Sequence, residues 1–141
     1  MQLVLTLLGP DKPGLVDSLA ATINEHGGNW LDSRMAHLSG HFAGLLKIEC
    51  PDAQAASLRS ALLGLNSAEL TLQIAEQASD QASSTSSRQF QIDIIGHDQP
   101  GIVRRLSSTL AAAGANVEQL DTRLEAAPMA GHPLFHALGT I

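Results

Sequence analysis

Apolar and polar positions along the first half of the chain change period in a set order. Gln2–Leu8 is an apolar block of strand length. From Pro13 to His26 the large apolar residues fall at Leu15, Val16, Leu19 and Ile23, the spacing of one helical face. Asp11 stands where it can cap that helix, Pro13 sits in its first turn, where a missing N–H costs nothing, and Gly27-Gly28 ends it. Asn29–Leu38 and His41–Cys50 read as strands joined at Ser39-Gly40 by a tight hairpin, with Phe42, Leu46 and Ile48 sharing one face. Pro51-Asp52 opens a second helix, Ala53–Leu65, that turns Leu58, Leu62 and Leu65 to the core, and Glu69–Glu76 alternates as a last strand. The predicted order is βαββαβ. Within about 75 residues, that order points to an α+β, ferredoxin-like module, a four-stranded antiparallel sheet with both helices on one face.

The pattern then starts again. Gly9-Pro10-Asp11-Lys12-Pro13-Gly14-Leu15-Val16 returns 87 positions later as Gly96-His97-Asp98-Gln99-Pro100-Gly101-Ile102-Val103. Leu15, Leu19 and Ile23 match Ile102, Leu106 and Leu110; Gly27 and Asn29 match Gly114 and Asn116. After a two-residue slip, Asp32-Ser33-Arg34 aligns with Asp121-Thr122-Arg123. The second copy predicts a strand through Phe90, Ile92 and Ile94, a helix over Pro100–Ala113 and a strand near Val117–Leu124. A long hairpin over Glu125–Pro133 and a strand over Leu134–Ile141 complete it. The expected domains are therefore 1–77 and 89–141, joined by a Ser/Ala/Gln-rich linker over 78–88 whose small polar residues cannot repay the entropy of ordering. The second module stops at its βαββ portion, so apolar surface should lie exposed on one sheet face. Either the sequence is shortened or a partner chain fills the gap.

Composition narrows the function. Fourteen acidic against eight basic residues give a net charge of −6, and no Lys/Arg run can neutralise a row of phosphates, which argues against direct nucleic-acid binding. Arg104 and Arg105 read as the solvated face of a helix. Cys50 stands alone, so no intrachain disulfide forms, and a lone thiol reads as a small buried hydrophobe. The apolar start lacks a basic flank and is too short to span a bilayer; a cytoplasmic protein without membrane attachment is expected. No nucleophile elbow, Walker-type lysine or dinucleotide loop occurs, so neither an enzyme nor a cofactor is expected. The histidine pairs His37/His41 and His132/His136 lack a convincing third ligand, and no metal site is expected.

The Gly9–Gly14 turn is the leading candidate site, because a strand-to-helix glycine turn sets free main-chain N–H groups beside the positive end of a helix, where a carboxylate docks. An ammonium would need an acceptor, and Asp11 or the carbonyl of Asn29 offers one. The candidate ligand-binding residues are Asp11, Lys12, Pro13, Gly14 and Asn29, with Asp98, Gln99, Pro100, Gly101 and Asn116 as their repeats. A structural reading stands beside this one: Asp11 caps, Gly14 permits close packing and Asn29 holds the turn after Gly27-Gly28. Asp32 and Arg34, like Asp121 and Arg123, share a strand face as an ion pair or as part of an interface. Trp30 is read as core or interface, and Phe135 as an apolar anchor in a loop segment at a module interface.

The Asp-x-Pro-Gly turns, each between strand and helix and each followed by Gly-x-Asn at Gly27–Asn29 and Gly114–Asn116, resemble tandem ACT domains. The stretch Pro128-Met129-Ala130-Gly131-His132-Pro133-Leu134-Phe135 resembles a segment of the glycine cleavage repressor family. That resemblance implies regulation without catalysis: small molecules, often amino acids such as glycine, held between paired domains in a homo-oligomer. It also implies repression exerted through a DNA-binding activator as protein partner. A ligand-independent protein-binding adaptor, or the detached regulatory portion of an amino-acid or folate enzyme, are the alternatives.

Overall fold

Leu3, Leu5 and Leu7 stand on one face of the first strand and are at most 4% exposed, and the first half of the chain is built over them. In a computed structural model, which describes residues 1–76, 88–127, 129 and 131–141, the chain divides into two units. The expected linker over 78–88 lies, apart from Arg88, outside the described residues.

The first unit runs β1 (Gln2–Pro10), α1 (Leu15–Glu25), β2 (Asn29–Leu38), β3 (His41–Glu49), α2 (Asp52–Gly64) and β4 (Thr71–Glu76). Its sheet has the order β2-β3-β1-β4 with every neighbour antiparallel, the expected ferredoxin-like arrangement. Leu19 and Ile23 of α1 and Ala55, Leu58 and Leu62 of α2 close over Leu3, Leu5, Leu7, Leu46, Ile48 and Leu72 of the sheet. Cys50 is buried within this core, and Trp30 packs half-buried against it. Ser39 and Gly40 both have positive φ (50° and 80°), the geometry of the expected two-residue hairpin between β2 and β3. β4 starts two residues later than its alternation suggests, because the Ser67 hydroxyl accepts from the N–H groups of Glu69 and Leu70 and holds them in a turn.

The strand-to-helix connection differs from the expected cap. The Lys12 carbonyl accepts the Leu15 N–H at 3.5 Å, Pro13 comes next, and Gly14 adopts φ 89°, ψ −4°, a type II turn with proline and glycine in the positions that turn demands. The helix therefore begins at Leu15, beyond Pro13. Gly14 precedes it without a side chain to cap it, and Asp11 makes no cap. The Asp11 N–H instead donates to the Gly40 carbonyl at 3.2 Å, pinning the turn to the β2–β3 hairpin. With this start, Val16 falls on the shoulder of α1 and is 41% exposed instead of joining the core face.

The second unit contains β5 (Gln91–His97), α3 (Ile102–Ala112), β6 (Gln119–Glu125) and β7 (Leu134–Thr140), with sheet order β5-β7-β6, all antiparallel. It repeats the type II turn: Gln99 C=O accepts Ile102 N–H at 3.2 Å and Gly101 has φ 82°, ψ 9°. The Asp98 N–H reaches Pro133 C=O, as Asp11 reaches Gly40. Sheet register also corrects the alignment of the copies. Leu5 faces Leu46, which faces Ser33; Ile92 faces Gly139, which faces Leu120. Leu5 and Ile92, and Ser33 and Leu120, are both 87 apart, so the two-residue slip does not occur: Asp121 stands where Arg34 does, and Arg123 where Ala36 does. Because side chains alternate with period two, a slip of two leaves the pattern unchanged and hides in the sequence.

The second sheet is less covered than the first. Phe90, the counterpart of Leu3, is 58% exposed where Leu3 is 0%. Among the described residues no strand flanks β5 on the side where β4 flanks β1. No described helix is long and apolar enough to cross a membrane.

Two substitutions test these assignments. Leu58→Ala should destabilise the first unit by about 2–5 kcal/mol, seen as a lower urea midpoint with little change in slope. A Cβ at Gly14 would meet nothing within 4 Å, so Gly14→Ala should cost only its left-handed backbone, about 1–2 kcal/mol, and Gly14→Asn less.

Candidate functional site

The repeated turn builds its surface from main chain first. At the start of α1 the opening N–H groups have no intrahelical acceptors, and the Leu15 N–H is taken by Lys12. Asp11, Lys12, Gly14, Leu15, Asp17 and Phe42 line a shallow hollow of about 130 Å³ beside this helix end. The charges around it are mixed. The Lys12 ammonium is paired with Glu69, the Asp11 carboxylate lies 3.5 Å from His37 Nε2, and Asp17 adds a carboxylate in the first helical turn.

The second turn is electrostatically different. Arg104 occupies the position of Asp17, no acidic residue stands in the first turn of α3, and Arg105 Nη2 donates to Gln99 Oε1 at 3.1 Å. Both turns offer helix-end N–H groups to an anion, but only the second does so without a carboxylate in its first helical turn.

The candidate residues separate into two groups. Asp11, Lys12, Pro13 and Gly14 follow the end of β1 beside the hairpin, while exposed Asn29 opens β2 opposite Glu49, which pairs in turn with Gln2 at the start of β1, at the other end of the sheet. The length of β2, roughly 30 Å at a strand's rise, lies between them. In the second unit Asp98, Gln99, Pro100 and Gly101 likewise sit at the far end from Asn116, whose amide lies 3.5 Å from Glu118 Oε1. Within one module, then, a ligand of amino-acid size reaches the turn or the asparagine, not both.

The other singled-out residues find simple places. Asp32 and Arg34 share the helix-free face of the first sheet, with Asp32 opposite Lys47. Asp121 accepts from the Gln119 amide while Arg123 Nε donates to Glu125, so the carboxylate partner of Arg123 is Glu125. Phe135 is buried within strand β7 and is no part of a loop; of the segment before it, Pro128 and Ala130 lie outside the described residues. Among the described residues no group of three or more His, Cys, Asp or Glu side chains could hold a metal.

One cluster escaped the sequence reading. His136, in the middle of the central strand β7, is 9% exposed and has both ring nitrogens engaged. Nε2 lies 2.7 Å from Asp93 Oδ1 on β5; Nδ1 lies 2.9 Å from Glu125 Oε1 and 3.2 Å from Arg123 Nη2, both on β6. The Glu125 and Asp93 carboxylates hold the imidazole pKa above its ordinary value, against the opposing effect of burial. His136, then Arg123, hold the Glu125 carboxyl below its own. The signal was present: strand alternation puts Asp93, Arg123, Glu125 and His136 on one face, and the true register of β6 makes them neighbours.

An ACT domain family model matches residues 1–76 and 88–123. The chain is 30% identical over 128 residues to the glycine cleavage system transcriptional repressor of Escherichia coli (strain K12); that match covers 89% of the chain and 66% of the repressor, so the chain spans just under two thirds of this relative's length. The crystal structure of an unknown protein from Galdieria sulphuraria superposes with a TM-score of 0.74 at 28% identity, over 99% of this chain and 80% of that one. A second crystal structure, of a protein provisionally named as a glycine cleavage system transcriptional repressor, shares the fold at a TM-score of 0.71 and 18% identity, with the same coverage. Two strand-turn-helix copies, their shared type II turns and a family match over both units lead to one assignment: the chain belongs to the ACT-domain family.

Proposed function

We propose that the chain is a non-enzymatic, cytoplasmic regulator that binds an amino acid at its strand-to-helix turns and represses transcription through a protein partner, a DNA-binding activator of glycine cleavage genes. The observation that carries this reading is the duplicated type II turn, Lys12-Pro13-Gly14 and Gln99-Pro100-Gly101, each placing helix-end N–H groups at the surface of a chain similar to a named repressor. A carboxylate fits those donors, and Asp11 or Asp98 accepts the ammonium of the same zwitterion. Asn29 and Asn116 lie a strand's length from the turns of their own modules. A ligand touching both groups is therefore held between two modules, as association of copies of this chain would provide. The net charge of −6 fits action through a partner better than a grip on DNA phosphates.

A ligand selective for the folded state stabilises it by RT ln(1 + [L]/Kd), about 2.7 kcal/mol at a hundredfold excess over Kd. Glycine, or another member of an amino-acid panel, should raise the thermal midpoint at millimolar concentration; no rise with any of them would remove ligand sensing. Arg104 replaces Asp17 beside the second turn, so Gly101→Ala should weaken this response more than Gly14→Ala. Retention of an activator by the tagged chain should change when the active amino acid is added, whereas equal retention with and without it would favour a ligand-independent adaptor.

A further inference from the structure

The helix-free face of the second sheet carries a device that the first lacks. His136 Nδ1 has two neighbours of opposite character: the Glu125 carboxylate at 2.9 Å, which can only accept, and the Arg123 guanidinium at 3.2 Å, which can only donate. One ring nitrogen cannot serve both in one protonation state. On the other side, Nε2 faces the Asp93 carboxylate at 2.7 Å in either state. We propose that His136 is a proton-operated partner switch: with both ring nitrogens protonated, Nδ1–H donates to Glu125 and Nε2–H to Asp93, and when the Nδ1 proton leaves to solvent, Nδ1 accepts from Arg123 instead.

The protonated form ties all three strands together, β5 through Asp93 and β6 through Glu125, with β7 in the middle. The neutral form keeps the Asp93 bond and exchanges a carboxylate for a cation on β6, while Glu125 retains Arg123 Nε. The other titratable groups facing this cluster are Asp121 on β6 and His97 at the end of β5. The residues of β7 on the same face, Leu134, Leu138 and Thr140, carry no charge, and His132 in the preceding loop is exposed. Counting Asp93, Asp121, Glu125 and Arg123, one proton changes the local charge of this face from −2 to −1. In the first sheet the positions of Asp93, Arg123, Glu125 and His136 hold Thr6, Ala36, Leu38 and Ala43, none of them titratable at these pH values, so the first module is an internal control.

The sign of the pH dependence comes from the two shifts. His136, raised in the fold, contributes stability that is complete below its unfolded value of 6.5 and lost as pH rises through the folded value. Glu125, lowered in the fold, contributes stability present above 4.5 and lost as pH falls through its folded value. The cluster therefore supports the second module best between pH 4.5 and 6.5.

Nitrogen-15 NMR of the imidazole rings in the intact chain, titrated from acid to alkaline pH, tests the switch. His136 should titrate with a midpoint above 6.5, with both nitrogens protonated below it and Nδ1 bare above it. Glu125→Gln and Asp93→Asn should each lower the midpoint; Arg123→Gln should raise it and shift the Nδ1 signal of the neutral form. A wild-type midpoint at or below 6.5 would overturn the proposal, as would a neutral-form Nδ1 signal indifferent to Arg123→Gln. The wild-type titration needs no variant to fold. Where His136→Gln does fold, the pH dependence of its second-module unfolding should flatten on the alkaline side while first-module resonances stay unchanged.

Discussion

A strand can hand its chain to a helix lying back across the same sheet only if the backbone reverses within a few residues, and in both modules proline and glycine make that reversal. Proline presets the first turn angle, and glycine accepts the positive φ that an L side chain resists. The rest of each module depends on it. The reversal fixes where α1 and α3 begin, which of their side chains reach the sheet, and which main-chain donors are left at the surface. The Asp11 and Asp98 N–H groups then fasten each turn to the next hairpin or loop, so the same few residues carry both fold and candidate site.

From that shared start the two modules diverge. The first closes a leucine-rich core under two helices and flanks its central strand on both sides. The second has a single described helix and an exposed Phe90, and it spends its helix-free face on Asp93, Arg123, Glu125 and His136. In the first sheet that face carries Leu8, Leu38 and Leu45, each at least half exposed. Duplication kept the backbone plan while the two surfaces took up different side chains: exposed leucines beside Asp32, Arg34 and Lys47 in one, a hydrogen-bonded cluster around His136 in the other.

Much of this was readable before any coordinates. The apolar block Gln2–Leu8, the strands that follow it and the helical spacing of Leu58 and Leu62 predict the sheet and its cover, because burial on one helical face imposes a period. The Ser39-Gly40 turn was readable for the same kind of reason, since few residues tolerate two successive positive φ angles. The helix start was not, because Asp11 satisfies the composition of a cap while the type II turn carries the chain past it. The register of β6 was hidden by the two-residue period of strands. Once its alignment was shifted, Arg123 lost its neighbours, and His136 could be weighed only against His132, its neighbour in sequence. Whether Asp11 and Asn29 converge is a question of strand length that local motifs do not pose.

Strand β5 has one consequence for handling the molecule. Among the described residues no strand pairs with its outer rim, which leaves a row of main-chain donors and acceptors with Asp93 as the one carboxylate of the strand, next to the exposed ring of Phe90. A rim of that kind templates the addition of further strands, and a single acidic side chain is a thin guard against it. Where that rim stays unpaired, self-association at high concentration should begin in the second half, by growth of the sheet sideways, even while the leucine-filled first half remains intact.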